Sequence, residues 1–369
     1  MTGADRTGGG PVSPWTWLLA CGLLFGWPAH RLVAADRVVT AAATLLGEVI
    51  SMTPDTLEFR VQGSTGRPQQ ITASEIVSLV LESEPPRVTE ARRLVGQSEY
   101  QAALDVIAEV TPVELEVASA AARGEYAYVK ALAAGRRAIA TGTELAAAGA
   151  GVTDFLDRFS RTIHRYEMLE LAGDLELAAG RPEAALARYR QLAVGPPSLT
   201  IRAARREAET LLKLGRAAEA ASVFSAAAEL PAPDPASRRE RTATTIGAAE
   251  CLIALDRPDE AVKRVRQLLA LVEPPAAADE ESQRQIARGY ATLGRASLAA
   301  GREQDALIAY LTVDLVHSGD PLSHAEALFR LVELWNRGRY PQRAGEARRR
   351  LEASYPDSPW ADLLDRTAD

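Results

Sequence analysis

Cysteine is nearly absent from this 369-residue chain, which has only Cys21 and Cys251. No disulfide framework can therefore hold the fold. Aromatic residues make up 5%, too few for a core built from strands, whereas abundant alanine suits helices packed at close range. Positive charge is not in excess. The formal balance is −7 and the pI about 5.4, which argues against nucleic acid as a partner. The one long apolar run, residues 15–28, is shorter than the ~20 residues a spanning helix needs. Also missing are a G-x-G-x-x-G after a strand, a Walker loop, an H-E-x-x-H and a G-x-S-x-G. No nucleophile has an evident base. Catalytic residues, a cofactor and a metal site are thus not expected, and an enzyme would need an unfamiliar site with convergent His, Asp or Glu.

The run 15–28 is followed by Val33-Ala34-Ala35 and then Asp36. Small residues at these places suit signal peptidase, so residues 1–35 are read as a secretory signal cleaved after Ala35. An alternative is open. Leu18-Leu19-Ala20-Cys21 resembles a lipoprotein box, which would make the chain a lipid-anchored part of an outer-membrane or secretion assembly. The membrane is expected to be touched only through such an anchor. After cleavage one thiol remains, Cys251, expected to be a buried small hydrophobe beside Leu252.

Residues 36–83 have a different rhythm. Leu57, Phe59 and Val61 alternate with Glu58, Arg60 and Gln62, the period of a half-buried strand. Pro54-Asp55 predicts a turn before it and Gly63-Ser64-Thr65-Gly66 a hairpin loop after it. Three to five short strands are expected, in a small barrel or twisted sheet that resembles Sm-like or SH3-like units. Such a unit serves either as a second binding module or oligomerisation surface, or as the cap a repeat array needs at its end.

The rest of the chain is internally repetitive. Gly173, Gly180, Ala185 and Tyr189 return at the same spacing as Gly294, Gly301, Ala306 and Tyr310. Weaker copies run through Ala208, Gly215, Ala220 and Phe224, and through Ala249, Asp256 and Ala261. A period of about 34 residues marks stacked helical hairpins. Gly173, Ala208, Ala249 and Gly294 fill a close-contact slot in the first helix, and Ala185, Ala220, Ala261 and Ala306 a tight slot in the second. Gly180, Gly215 and Gly301 stop the first helix in a left-handed conformation. Pro182 and Pro258 open the second. Tyr189, Phe224 and Tyr310 are large knobs between hairpins.

This pattern resembles the tetratricopeptide repeat (TPR) family. It is specific in 166–199 and 287–320, fair in 201–234 and 242–275, and loose over 84–165 and 322–360. The fold class implied is mostly α: an α-solenoid of six or seven TPR-like hairpins, with divergent repeats over 84–165 and regular ones over 166–369, preceded by the β unit. The segment 118–165 is expected to break near Gly149–Gly151. Gly338 is taken as a turn residue with Ala344 one place late, so a longer turn is expected there. The loops Pro231–Ser237 and Glu273–Glu281 extend the period, with Glu280-Glu281 as solvated loop charges. Residues 355–361 resemble the closing link of bacterial periplasmic members of the family.

Three histidines follow residue 35. His164 is expected to pack at a helix start, and His317 and His324 to lie on the surface or cap helices. The last two are seven residues apart across Pro321, which is no metal-ligand pattern.

The resemblance implies that ligands lie along the first helices. The readable stripe there is Glu167, Glu170 and Asp174; then Arg202, Arg205, Glu209 and Lys213; then Arg288 and Arg295. It suits an extended peptide or partner helix, unless adjacent acidic and basic stripes simply pair with each other. The Lys/Asn clamp by which some family members hold a C-terminal carboxylate is absent. The implied function is a non-catalytic, protein-binding scaffold of the bacterial cell envelope.

Overall fold

The computed structural model describes residues 35–40, 42–272 and 280–366. The expected signal segment, the Cys21 box and most of the loop Glu273–Glu281 lie outside them.

The β unit comprises β1 (Asp36–Thr40), β2 (Thr44–Met52), β3 (Thr56–Val61), β4 (Gln69–Thr72) and β5 (Ile76–Val80). They form one antiparallel sheet in the order β4-β3-β2-β1-β5. The period-2 rhythm of β3 is realised directly. Leu57 and Phe59 are fully buried, while outward Arg60 pairs with Glu48 of β2 at 3.0 Å. The Pro54-Asp55 turn is held by Thr53, whose hydroxyl accepts from the amides of Asp55 and Thr56. The sheet's apolar face closes on Ala118 and Ala122, at the entry to the helical region.

Sixteen α-helices follow among the described residues. They are α1 (Pro86–Gly96), α2 (Tyr100–Ala108), α3 (Pro112–Val117), α4 (Ala120–Thr141), α5 (Leu145–Arg158), α6 (Arg165–Ala178), α7 (Pro182–Arg190) and α8 (Pro197–Lys213). Then come α9 (Ala217–Ala228), α10 (Pro235–Ala254), α11 (Pro258–Val272), α12 (Glu280–Ala299), α13 (Glu303–Val316), α14 (Pro321–Arg337), α15 (Pro341–Ser354) and α16 (Pro359–Arg366). Consecutive helices pair as hairpins, and the first helices α8, α10, α12 and α14 also pack on one another in sequence.

One turn rule runs through six hairpins. A left-handed residue stands five places before a buried alanine: Ser98 before Ala103, Gly180 before Ala185, Gly215 before Ala220, Asp256 before Ala261, Gly301 before Ala306 and Arg339 before Ala344. The last pair corrects an expectation. Gly338 is right-handed and Arg339 makes the turn, so Ala344 is in step and the turn is no longer than the others.

Other expectations are also revised. The chain breaks at Gly142 and Glu144, both left-handed, and α5 runs unbroken through Gly149–Gly151. Its face Ala148, Val152, Phe155 and Leu156 is buried at helical spacing, and that burial outweighs the glycines. Helix α10 begins at Pro235, inside the loop expected over 231–237, because Asp234 caps it by accepting from the Ser237 amide at 2.8 Å. Glu280 and Glu281 belong to the first turn of α12 and face Arg284; they are helical and not loop charges. Cys251 is fully buried as expected, and that burial pushes its thiol up to about 11.

The knobs explain the glycines. Tyr189, Phe224 and Tyr310 are fully buried. A Cβ on Gly173 would come within 2.4 Å of the Tyr189 ring, and one on Gly294 within 2.6 Å of the Tyr310 ring. For Phe224 the bare backbone is Gly247 of the next hairpin, at 2.4 Å. Gly149, by contrast, faces open space. Gly173→Ala and Gly294→Ala should each destabilise the protein by roughly 1–3 kcal/mol through overpacking. Gly149→Ala should stabilise it by about 0.5–1 kcal/mol. Urea melts of the three variants check this; equal midpoints would contradict the packing described.

Candidate protein-binding cleft

The charged positions of the first helices recur every three or four residues, so each helix turns one charged stripe the same way. Where α8, α10, α12 and α14 lie side by side, these stripes line a cavity of about 380 Å³. Its charged walls are Arg205 and Glu209 of α8, Glu250 of α10, Arg288 and Arg295 of α12, Asp320 at the start of α14 and Glu326 within it. Leu322 and Trp360 add apolar surface.

Most of these charges pair across helices. Arg202 bridges Glu170 at 3.2 Å and Glu240 at 3.0 Å. Arg205 meets the other Glu240 oxygen at 3.2 Å and Glu209 at 2.6 Å. Arg206 joins Asp174, Glu170 and Glu209. Further along, Arg295 holds Glu250 at 2.6 Å and Glu326 at 3.0 Å. The result is two ladders of alternating sign, one from α6 through α8 to α10 and one from α10 through α12 to α14. Burial opposes the charge of Arg205, yet Glu209 and Glu240 hold its guanidinium above the ordinary range. The Glu326 carboxyl is buried. That burial raises it above the usual carboxylate value, although Arg295 and Arg330 pull the other way.

The nine residues singled out in the sequence are thus divided. Arg205, Glu209, Arg288 and Arg295 line the cavity. Glu170, Asp174 and Arg202 serve the first ladder, and Asp174 also accepts from the Tyr189 hydroxyl at 2.7 Å. Glu167 lies apart. It accepts from the Tyr128 hydroxyl at 2.6 Å and lines a separate cavity between β5 and helices α1, α4 and α6. Lys213 is exposed at the end of α8. Sequence reading missed Glu240 because it started the third regular repeat after it, and missed Glu250 because it assigned that repeat no charged stripe. It missed Glu326 because the last repeat was misaligned by one residue. Glu240, Gly247 and Glu250, seven and three residues apart, fall on one helical face and were the signal available.

His317 caps the C-terminus of α13, one of the two roles expected for it, and is buried there. His324 is buried within α14 and is neither on the surface nor a cap. His324 places Nε2 2.9 Å from Asp314 and Nδ1 2.8 Å from the Tyr355 hydroxyl. Arg350 meets both oxygens of the same aspartate. His164 packs at the start of α6 as expected, stacked on Tyr128 at 3.6 Å with Nε2 2.8 Å from Glu125. Among the described residues, no group of three or more His, Cys, Asp or Glu is placed to hold a metal ion.

Solved structures resemble this arrangement. A tetratricopeptide repeat protein from Parabacteroides merdae superposes with a TM-score of 0.54 over 78% of this chain and 100% of its own, at 15% identity. The chain has the tetratricopeptide-repeat fold. The apo form of RapI is also similar, with a TM-score of 0.53 over 74% of this chain and 76% of its own, at 13% identity. No protein-family model matches the sequence, and no curated protein matches it. At these identities the TPR likeness is one of fold.

Because Glu326 is harder to ionise in the folded TPR array than at its ordinary value of 4.5, its ionisation works against folding at neutral pH. The sign is fixed by that direction: the favourable contribution is complete below 4.5 and is lost as pH rises through the folded-state value. Glu326→Gln removes this dependence and leaves Arg295 its Glu250 partner. The stability of E326Q relative to the unaltered protein should therefore increase as pH rises from 4.5. Denaturant titrations at a series of pH values test this, and a difference that is flat or falls with pH would contradict it.

Proposed function

We propose that this protein is a non-catalytic, protein-binding scaffold that holds an extended peptide or a partner helix in the cleft along its first helices. The observation that carries this reading is the uneven use of charge there. The ladders tie most side chains to each other, whereas Arg288 is 48% exposed and has one long contact, 3.5 Å to Asp320. Beside it Leu322 is 65% exposed, and Trp360 stands half-buried at the same end. A half-exposed guanidinium with one long ion pair, an exposed leucine and an indole are the kinds of anchor that protein interfaces use. The buried His324 is held at both ring nitrogens, so neither is open to act as a base on a ligand in the cleft.

The reading includes export to the cell envelope, with processing after Ala35. It is supported by the role of the next residue. The Asp36 carboxylate accepts from the amide of Val49 at 2.7 Å and from that of Glu82 at 2.8 Å, so it ties β1 to β2 and to the chain after β5. Cleavage at Ala35 would leave this tie intact. Mass spectrometry of the mature chain should find Asp36 first; a lipid-modified Cys21 would replace this reading with an anchored form.

The partner reading is tested by crosslinking the chain in native membranes, identifying the captured protein, and titrating its purified binding segment. Arg288→Glu combined with Leu322→Glu should weaken that binding by about tenfold or more. Unchanged affinity in the folded double variant would remove the cleft from the function.

A further inference from the structure

Helix α10 has a second face. Ala243, Ile246, Gly247 and Glu250 turn toward the cleft described above. Arg238, Arg241, Thr242 and Thr245 lie on the other side of the helix, given about 100° of rotation per residue. There they line a separate cavity of about 430 Å³, with Ala228 of α9 and Arg264, Gln267, Leu268 and Leu271 of α11. The early start of α10 at Pro235 supplies this wall, since Arg238 and Arg241 fall in its first two turns.

The charge of this cavity is of one sign. Three arginines line it and, among the described residues, no carboxylate does. Arg238 donates to the Pro233 carbonyl at 2.8 Å. Arg241 and Arg264 have no side-chain partner among the described residues. Elsewhere in the solenoid, arginines of the same exposure class, such as Arg202, Arg205 and Arg206, are each held by two or three acids. The hydroxyl protons of Thr242 and Thr245 are committed to helix carbonyls, so the guanidinium groups carry the available donors. Along α11, Arg264, Leu268 and Leu271 share one face at helical spacing, and Leu271 is 85% exposed. The cavity therefore offers guanidinium groups interleaved with apolar side chains, in a chain whose overall charge is −7.

We propose that this cavity is a second docking site, for an acidic peptide segment that carries an apolar side chain next to its carboxylates. Guanidinium forks match carboxylates in bidentate geometry, and exposed Leu271 with half-buried Leu268 receives the apolar residue. The recess favours a chain over a bilayer: Arg241 and Arg264 are half-buried in its walls, with only Arg238 exposed at the rim, and a planar membrane surface does not reach into it. This site does not rest on the cleft along the first helices, and either can fail without the other.

The test is fluorescence anisotropy of a short labelled peptide of repeating Glu-Glu-Leu, titrated with the full chain. A peptide of repeating Lys-Lys-Leu serves as control. The acidic peptide should bind and the basic one should not. Arg241→Gln with Arg264→Gln should weaken binding about tenfold, as expected for losing two charge-assisted contacts. Arg288→Glu, in the other cleft, should leave it unchanged. Both variants are checked by circular dichroism for native helix content. The proposal is overturned if the acidic peptide does not bind, if the folded double variant binds it equally well, or if Arg288→Glu abolishes the signal. It is overturned in favour of a membrane surface if phosphatidylserine vesicles, and not the peptide, bind in a manner that depends on Arg241 and Arg264.

Discussion

The solenoid depends on aromatic rings seated against bare backbone. Tyr189 and Tyr310 each lie on a glycine of the preceding helix, and Phe224 on a glycine of the following hairpin. A single methyl at any of these points would sit inside the ring's van der Waals envelope. The contact decides how close two helices approach, and hence where every other residue on them points. It also reaches the surface. The Tyr189 hydroxyl donates to Asp174 and the Tyr310 hydroxyl lies 3.4 Å from Glu326. Both acids belong to the charge ladders, so the packing of the core sets the positions of the charges in the cleft.

Those ladders have a structural consequence. Replacing a buried ion pair with apolar residues can be neutral, but removing one partner of such a pair is costly. Arg295 between Glu250 and Glu326, and Arg202 between Glu170 and Glu240, each span three helices. The proposed contacts use side chains outside the ladders. On one side of α10 these are Arg288, Leu322 and Trp360; on the other they are Arg241, Arg264 and Leu271. One helix thus separates a charge-balanced cleft from a cationic one.

Much of the fold was legible in the sequence because glycine and alanine have few other reasons to recur at fixed spacing. Where another residue took the same backbone role, the pattern was fainter. Ser98, Asp256 and Arg339 adopt the left-handed turn without being glycine; the spacing still placed the first two. The strain is local, and the buried alanine five residues later holds it in place. For Arg339 a neighbouring glycine drew attention to the wrong position. The α4–α5 hairpin was misread for the opposite reason: Gly149 and Gly151 suggested a break, while the buried face of α5 kept the helix continuous. Of the candidate site, the charged stripe on α8 and α12 could be read. Its pairing could not, because which arginine meets which acid depends on helix starts that the loops concealed. The burial of His324 was invisible for the same reason, since Asp314, Arg350 and Tyr355 come from three other places in the chain.

Hydrogen–deuterium exchange of the mature chain, with and without its captured partner, tests the central claim most directly. Protection confined to the first helices α8, α10, α12 and α14, with the second helices unchanged, is the predicted result. Protection limited to the β unit, or spread evenly over the second helices, would contradict the assignment of the cleft as the binding surface.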